Sequence, residues 1–205
     1  MNFHHSDPGH IFALRRLDRF MIGHNGFIAG GCFKNLFCRE PFKDVDVFFE
    51  KRDDFNNAVA YFGEHEAFKA AYESKKVRAF RHKSSGIALE LVCSVFGTPE
   101  EIIRQFDFTV VKFAYYKALT EDDEGKEICE YKATYHPLFF EHLHMKRLVI
   151  DDQIPFPLST FERVLRYAKY GYKPCTETKQ KLVNAIRALP ENEVLVPTNF
   201  YAGLD

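Results

Sequence analysis

The chain has 205 residues, 46% hydrophobic residues and a formal net charge of −1, a combination typical of one folded domain with at most a small appendage. It excludes a disordered chain and a multi-domain assembly. The five cysteines are odd in number and include no CxxC pair, so we expect neither a disulfide framework nor a zinc site. Since no long apolar run or signal-peptide pattern occurs, we expect a cytoplasmic protein with no membrane segment.

The predicted elements alternate between helices and strands. A first helix is expected over residues 11–21, where apolar residues recur at three-residue spacing after the helix-start signal Ser6-Asp7-Pro8. The apolar run 108–116 does not distinguish a helix from a strand. The other elements, in chain order, are a strand from residue 26 into a glycine turn, a strand at 44–49, a helix at 54–65, strands at 77–82 and 87–95 joined by a hairpin turn, a helix at 99–105, a surface turn at 120–126, a strand at 127–132 and helices at 136–144, 159–170 and 176–189.

This order of elements favours an α+β fold. We expect a mixed sheet with flanking helices over residues 1–150 and a small helical extension over residues 151–205. The chain contains 22 Phe and 10 Tyr but no Trp, and most of these rings are expected to fill the core.

The motif that carries chemistry is a glycine pair, Gly30 and Gly31, followed thirteen residues later by Asp44 and Asp46. Residues i and i+2 of a strand point to the same face, so the two carboxylates project together and their like charges favour a cation between them. Oxygen ligands of this kind suit Mg²⁺ or Mn²⁺. The glycines leave room for a phosphate to approach the backbone.

Residues 30–46 resemble a known family, the nucleotidyltransferase superfamily related to DNA polymerase beta. The segment fits the pattern GGxVRDxLLGxxxxDxD without a gap, as in the head domain of class II CCA-adding enzymes and bacterial poly(A) polymerases. Two further segments are similar to family motifs: 104–110 to RRDFTIN, and 163–172 to the helix motif RxxRF followed by Gly-Phe. The resemblance implies a polymerase-beta-like nucleotidyltransferase palm.

The resemblance also implies a third carboxylate and a reaction. Glu90 is the one acid in an otherwise apolar strand, at the place where the family has its third acid. Asp44, Asp46 and Glu90 are therefore the expected catalytic and metal-binding residues, and the implied chemistry is two-metal phosphoryl transfer from an NTP with release of pyrophosphate. The alternative for Glu90 is a position on a solvent-facing surface of the sheet.

Nucleotide binding is expected from glycines, cations and one further acid. Asp107 matches the acid of RRDFTIN, which in the family lies near the sugar, although a capping role would also explain it. Arg163 and Arg166, with Lys169, would form a basic stripe on one helix, and residues 75–83 form a second basic run; both would also suit solvated surfaces. The expected nucleotide-binding residues are Gly30, Gly31, Lys34, Lys43, Asp107, Arg163 and Arg166.

The sequence departs from the family where substrates are chosen. Lys34 stands in place of an arginine, and the EDxxR base-reading motif falls near residues 156–160, which read Phe-Pro-Leu-Ser-Thr. The length of the chain leaves no room for a helical body and tail that grip tRNA, so we do not expect a CCA-adding enzyme.

Three functions remain from different classes. The first is transfer of a nucleoside monophosphate from an NTP to a hydroxyl acceptor, with an RNA or tRNA 3′ end as the first choice. The second is transfer to a protein or small-molecule acceptor, as in toxin-like or antibiotic-modifying relatives. The third is a non-catalytic module that binds nucleotide or RNA, which three converging acids argue against.

Overall fold

The computed structural model describes residues 3–6, 11–121, 127–151 and 154–190. The strands are β1 His4–Ser6, β2 Phe27–Ala29, β3 Asp44–Phe48, β4 Phe68–Glu73, β5 Val77–His82, β6 Ala88–Val92, β7 Phe113–Glu121, β8 Glu127–Tyr135, β9 Arg147–Leu148 and β10 Lys173–Pro174. The helices are α1 Cys32–Phe37, α2 Arg52–Glu64, α3 Pro99–Arg104, α4 Phe139–His144, α5 Pro157–Ala168 and α6 Thr176–Arg187. Two 3₁₀ segments lie at Phe12–Phe20 and Thr109–Val111.

Eight strands form one mixed sheet in the order β1-β8-β7-β2-β3-β6-β5-β4. Neighbouring strands pair antiparallel except β3 and β6, which pair parallel. A parallel pair needs a long crossover connection, and here the chain supplies α2 and the β4–β5 hairpin between β3 and β6. The expected α+β fold, a mixed sheet with flanking helices, is confirmed.

Aromatic rings fill much of the core, as expected. Phe113 lies at the centre of one cluster, with its ring centroid 4.5 Å from that of Phe33 and 5.0 Å from that of Phe139. Phe48 and Phe106 pack together on the other side of β2, and all five rings are almost fully buried. Rings at such distances add to the stability gained from area burial alone.

The first predicted helix is a 3₁₀ segment. Leu14, Leu17 and Phe20 are completely buried, and their three-residue spacing matches the three residues per turn of a 3₁₀ helix. The spacing therefore indicated the right face of the segment as well as its position. Of the helix-start signal Ser6-Asp7-Pro8, Ser6 lies in β1, whereas Asp7 and Pro8 lie outside the described residues.

Four of the strands, namely β1, β4, β9 and β10, are not predicted from the sequence. In β4 only Phe68 is buried, so the strand lacks the apolar alternation that marks a half-buried strand. The unassigned run 108–116 divides into the 3₁₀ segment Thr109–Val111 and the start of β7. The β5–β6 hairpin and helix α3, with its Thr98–Glu101 capping box, are confirmed.

The C-terminal helices contact the rest of the fold through several polar links. Strand β10 pairs parallel with β9, and the Lys181 ammonium donates to the Ile150 carbonyl at 2.8 Å. The fully buried Lys112 and the half-buried Asp151 form an ion pair of 2.9 Å. The division of the chain at residue 150 stays a prediction. Within the described ranges, no helix is long and apolar enough to cross a membrane.

His24 is a buried histidine whose hydrogen bonds require the neutral ring. Its Nδ1 accepts from the Gly26 amide at 3.0 Å, so Nε2 carries the proton and donates to the Phe20 carbonyl at 2.8 Å. Burial lowers the pKa of His24 from 6.5 to about 4, partly opposed by the bond to Phe20. A second proton would displace the Gly26 amide.

We expect the free energy of unfolding to fall as the pH drops below 6.5, because the unfolded chain then binds a proton that the folded His24 excludes. Between about pH 7 and about pH 5 the loss from this group is about 2 kcal/mol, measurable by urea unfolding. A His24→Gln variant will be less stable near neutral pH but will show a flatter pH profile. Equal slopes in the two proteins would contradict the expectation.

Candidate active site

A cleft of about 410 Å³ lies at the end of β3, a size that suits a small-molecule ligand. Helix α1 and the loop that follows it form one wall, and the last turn of α5 with Tyr170 just beyond it forms the other. Its lining residues are Gly31, Cys32, Lys34, Asn35, Pro41, Phe42, Lys43, Asp44, Asp46, Arg166, Tyr167 and Tyr170. Of the expected site residues, Gly31, Lys34, Lys43, Asp44, Asp46 and Arg166 meet here.

The glycine pair lies against an acid and a tyrosine. Gly30 has a φ of +97°, a left-handed conformation that glycine adopts without strain. A Cβ at Gly30 would lie 3.7 Å from Asp46 Oδ2, and one at Gly31 would lie 3.8 Å from the Tyr167 hydroxyl oxygen. The Phe106 ring is equally close to the Gly30 position, at 3.7 Å, and all of these are ordinary contact distances. The turn therefore packs beside the Asp46 carboxylate, and its positive φ is what favours glycine.

The parallel pairing of β3 and β6 brings the third acid into place. Asp46 and Glu90 are direct register partners, and Asp44 pairs with Ala88. Register partners point to the same face of a sheet, so Glu90 lies beside Asp46 one strand away. Burial raises the pKa of the Glu90 carboxyl; a hydrogen bond from Tyr72 partly opposes this, and the Asp44 charge adds to it. Ala88 and Val92 on the same face are buried, so this face is not a solvent surface along β6.

Tyr72 completes this group of residues and was not identified from the sequence. Its hydroxyl donates a hydrogen bond to Glu90 Oε1. Burial, this bond and the negative charges of Asp44 and Asp46 all raise the pKa of Tyr72, so the phenol stays protonated. In the sequence, Tyr72 lies in the polar segment Tyr-Glu-Ser-Lys-Lys, which carries no signal of a strand or of a site.

The carboxylate oxygens of Asp44, Asp46 and Glu90 are the kind of ligand that a divalent metal ion prefers. The three carboxylates do not, however, lie close enough together to form a complete metal site. Among residues 3–6, 11–121, 127–151 and 154–190, no group of three His, Cys, Asp or Glu side chains lies close enough together to hold a metal ion. One oxygen of Glu90 is taken by Tyr72. Two aspartates on one face and a glutamate in register nevertheless provide the hard oxygen ligands that Mg²⁺ and Mn²⁺ prefer.

Lys34 is a buried cation in the wall of the cleft. Its ammonium nitrogen lies 5.1 Å from the ring centroid of Tyr170 and 5.7 Å from those of Tyr167 and Tyr172, within the range of cation–π attraction. It also donates to the Asn35 side-chain oxygen. Burial lowers the pKa of Lys34, while the Glu40 charge opposes the change. The residue expected to meet phosphate is thus held by tyrosines.

Asp107 and Arg163 lie away from the cleft lining and bind each other. Arg163 Nε and Nη2 donate to Asp107 Oδ2 at 2.8 and 2.7 Å, and the Phe108 amide donates to Asp107 Oδ1 at 2.8 Å. Both side chains are buried. Arg163 therefore points into the interior and is not part of the expected basic stripe. Arg166 and Lys169 on the same helix are exposed.

The comparisons with solved structures show the fold. The chain is similar to a Thermotoga maritima CCA-adding enzyme complexed with tRNA, with a TM-score of 0.59 and 12% identity over 91% of this chain and 46% of that one. It is similar to a CCA-adding enzyme in complex with CTP, with a TM-score of 0.64 and 13% identity over 98% and 49%. A tRNA nucleotidyltransferase with a primer tRNA and an incoming ATP analog gives 0.53 and 15% over 85% and 50%.

The fold is thus that of the nucleotidyltransferase head region, as the sequence resemblance implies, and the chain spans about half the length of these structures. The family model of Gad2, the Gabija anti-defense 2 family, matches residues 10–146. The chain belongs to this family. No curated protein sequence matches it.

Removing Arg163 tests whether the buried ion pair is structural. An Arg163→Met variant leaves the Asp107 carboxylate buried without its cation, so the free energy of unfolding should fall by about 3–5 kcal/mol. The matched control is Arg166→Met on the same helix, whose side chain is exposed in the cleft and whose loss should cost less than about 1 kcal/mol. Urea unfolding of both variants gives the comparison. A stable Arg163→Met protein would show that the pair does not hold the fold.

Proposed function

We propose that this protein is a divalent-metal-dependent nucleotidyltransferase that moves a nucleoside monophosphate from an NTP to a hydroxyl acceptor and releases pyrophosphate. The observation that carries the proposal is the register of β3 against β6, which sets Glu90 beside Asp46 at the rim of a cleft lined by Asp44. Three acids on one face of the sheet repel one another. Such an electrostatically unfavourable arrangement is typical of a functional site.

In the proposed reaction, the acid row formed by Asp44, Asp46 and Glu90 binds the NTP on one side and the acceptor on the other. Asp44, Asp46 and Glu90 would hold the divalent ions, which when bound would neutralise the triphosphate charge and lower the pKa of an acceptor hydroxyl. Lys43, Arg166 and the buried Lys34 line the cleft and would supply positive charge to the triphosphate. The glycine turn lies beside Asp46 and, because it carries no side chains, offers its backbone to the α-phosphate. The acceptor approaches from the Glu90 side.

The cleft favours recognition of the triphosphate over recognition of the base. The Asn35 side chain, the one amide in the lining, accepts from Lys34 through its oxygen and donates to the Pro41 carbonyl at 2.7 Å through its nitrogen. Ser159 and Thr160, in the segment where the family reads the base, are buried. The exposed ring of Tyr170 offers a stacking surface that suits any base. We infer that the four NTPs bind with similar affinity.

RNA is our first acceptor, and the exposed basic residues of the β4–β5 hairpin support it. Lys75 and Lys83 lie at the two ends of β5, one strand away from Glu90, and both are exposed. Solved structures of the same fold hold tRNA. The family is named for anti-defence against Gabija, and we propose that the transfer acts in that setting.

A protein acceptor is the second candidate, and one contact favours it. The Tyr72 hydroxyl already bonds to Glu90, so the acceptor side of the row accommodates a phenol. A non-catalytic module that binds nucleotide or RNA has no comparable support, because nucleotide binding alone does not call for a glutamate beside the Asp44–Asp46 pair.

Exchange of one acid tests the catalytic proposal. Asp46→Asn should lower the rate of label transfer from an α-labelled NTP by a factor on the order of 100 or more, because it removes charge where charge develops in the transition state. The control is Asp53→Asn, an exposed acid in the first turn of α2. Equal rates for the two variants would contradict the catalytic assignment.

Two lysine exchanges test RNA as the acceptor. Lys75→Gln combined with Lys83→Gln should weaken RNA binding and lower the slope of log affinity against log salt by about 1 for each lost phosphate contact. Lys179→Gln, on α6 and outside this run, is the control. An RNA affinity and salt slope equal to those of the wild type would leave the protein acceptor as the better candidate.

A further inference from the structure

Four side chains stand in one row across four neighbouring strands. Asp46 on β3 pairs with Glu90 on β6, Glu90 pairs with Ala79 on β5, and Ala79 pairs with Tyr72 on β4. Register partners share a face of the sheet. Ala79 is fully buried and small, so the Tyr72 side chain extends over it and places its hydroxyl on Glu90 Oε1.

A β-bulge is what puts Tyr72 in this row. Ala70 pairs with Phe80, and Tyr72 then pairs with Ala79, so one extra residue of β4 lies between the two pairs. Without the extra residue, Tyr72 would pair with Arg78 and point to the opposite face. Bulges re-aim side chains next to active sites in this way.

The two ends of this row are accessible to the two substrates of the proposed reaction. The Tyr72 side chain remains accessible, with the residue 47% exposed. Asp46 lies one strand spacing, about 4.8 Å, from Glu90, and it also lines the cleft assigned to the NTP. The phenol oxygen therefore lies on the side of the acids where the acceptor hydroxyl belongs.

We propose that Tyr72 is an acceptor of this enzyme: the protein transfers a nucleoside monophosphate from an NTP to its own Tyr72 hydroxyl. This inference rests on the proposed nucleotidyltransferase function and names one substrate of that site. The intramolecular hydrogen bond to Glu90 replaces the binding step that an external acceptor requires, which gives the reaction the advantage of a positioned partner.

The step balances without any further reactant. The Tyr72 phenol oxygen attacks the α-phosphorus, and a new phosphorus–oxygen bond forms as the bond from the α-phosphorus to the bridging oxygen of the β-phosphate breaks. Pyrophosphate leaves with that electron pair, and the phenol proton passes to Glu90, the group that already accepts the hydrogen bond. The product is a phosphodiester that joins Tyr72 to the nucleoside.

Intact-protein and peptide mass spectrometry test this inference. The full chain is incubated with Mg²⁺ and each of ATP, CTP, GTP and UTP, treated with a chelator and denatured. We expect one added nucleoside monophosphate on Tyr72, absent from Tyr72→Phe and from Asp46→Asn. Tyr61→Phe, which removes a hydroxyl from α2, is the matched control and should be modified like the wild type.

A mixing experiment tests whether the transfer stays within one chain. Tyr72→Phe keeps the acid row, and Asp46→Asn keeps the tyrosine, so the two are mixed as tagged proteins of different mass. We expect Asp46→Asn to stay unmodified and the wild-type rate constant to be independent of protein concentration. Modification of Asp46→Asn by its partner would overturn the intramolecular step.

The same incubation, repeated with total RNA and cell lysate, separates the two proposals. Label on RNA or on other proteins, with Tyr72 unmodified in the wild type, would overturn Tyr72 as an acceptor and leave the nucleotidyltransferase function in place. No label on any acceptor and no release of pyrophosphate would overturn both. Label on Tyr72 that disappears in Tyr72→Phe supports both.

Discussion

The parallel pairing of β3 with β6 is the constraint on which the site depends. It places Glu90 beside Asp46 although 43 residues of chain separate them in the sequence, and it does so inside an otherwise antiparallel sheet. The crossover that makes the pairing possible contains α2 and the β4–β5 hairpin. The same hairpin then presents Tyr72 to the acids. One topological feature thus brings together the proposed metal ligands and the proposed acceptor side.

The second wall of the cleft depends on buried ion pairs. The Asp107–Arg163 pair fixes α5 against the segment that follows α3, and α5 with its C-terminal cap carries Arg166, Tyr167 and Tyr170 to the cleft. Farther along, burial alone would raise the pKa of Asp151, but hydrogen bonds from His136 and Lys112 and their charges bring it well below its ordinary value. Such pairs contribute little net stability over apolar packing, but breaking one is costly. They therefore fix the position of the helices more than they add to stability.

The sequence predicted the parts of the site that depend on patterns within one segment of chain. It did not predict the parts that depend on how neighbouring strands and helices are aligned. The spacing of Asp44 and Asp46 predicted that the two carboxylates share one face of a strand, and the family resemblance pointed to Glu90, which the structure pairs with Asp46. Arg163 and Arg166 look alike in the sequence, since three-residue spacing suggests one stripe, yet the first points inward to Asp107 and the second outward. Tyr72 reaches the row through a bulge, and a bulge in an exposed edge strand leaves no hydrophobic pattern to read.

Different parts of the chain build the two sides of the row formed by Asp44, Asp46 and Glu90, so the proposed nucleotide site is separate from the proposed acceptor site. Helices α1 and α5 line the cleft proposed for the nucleotide, whereas β4, β5 and their connecting turn form the side proposed for the acceptor. Substitutions in the edge hairpin can therefore change the acceptor while the nucleotide cleft and the metal ligands stay unchanged. A fold shared with tRNA nucleotidyltransferases is for this reason compatible with a different acceptor in this family. The tyrosine that the bulge sets on Glu90 belongs to this hairpin, so the proposed change of acceptor requires no change in the Gly30–Asp46 segment that carries the resemblance.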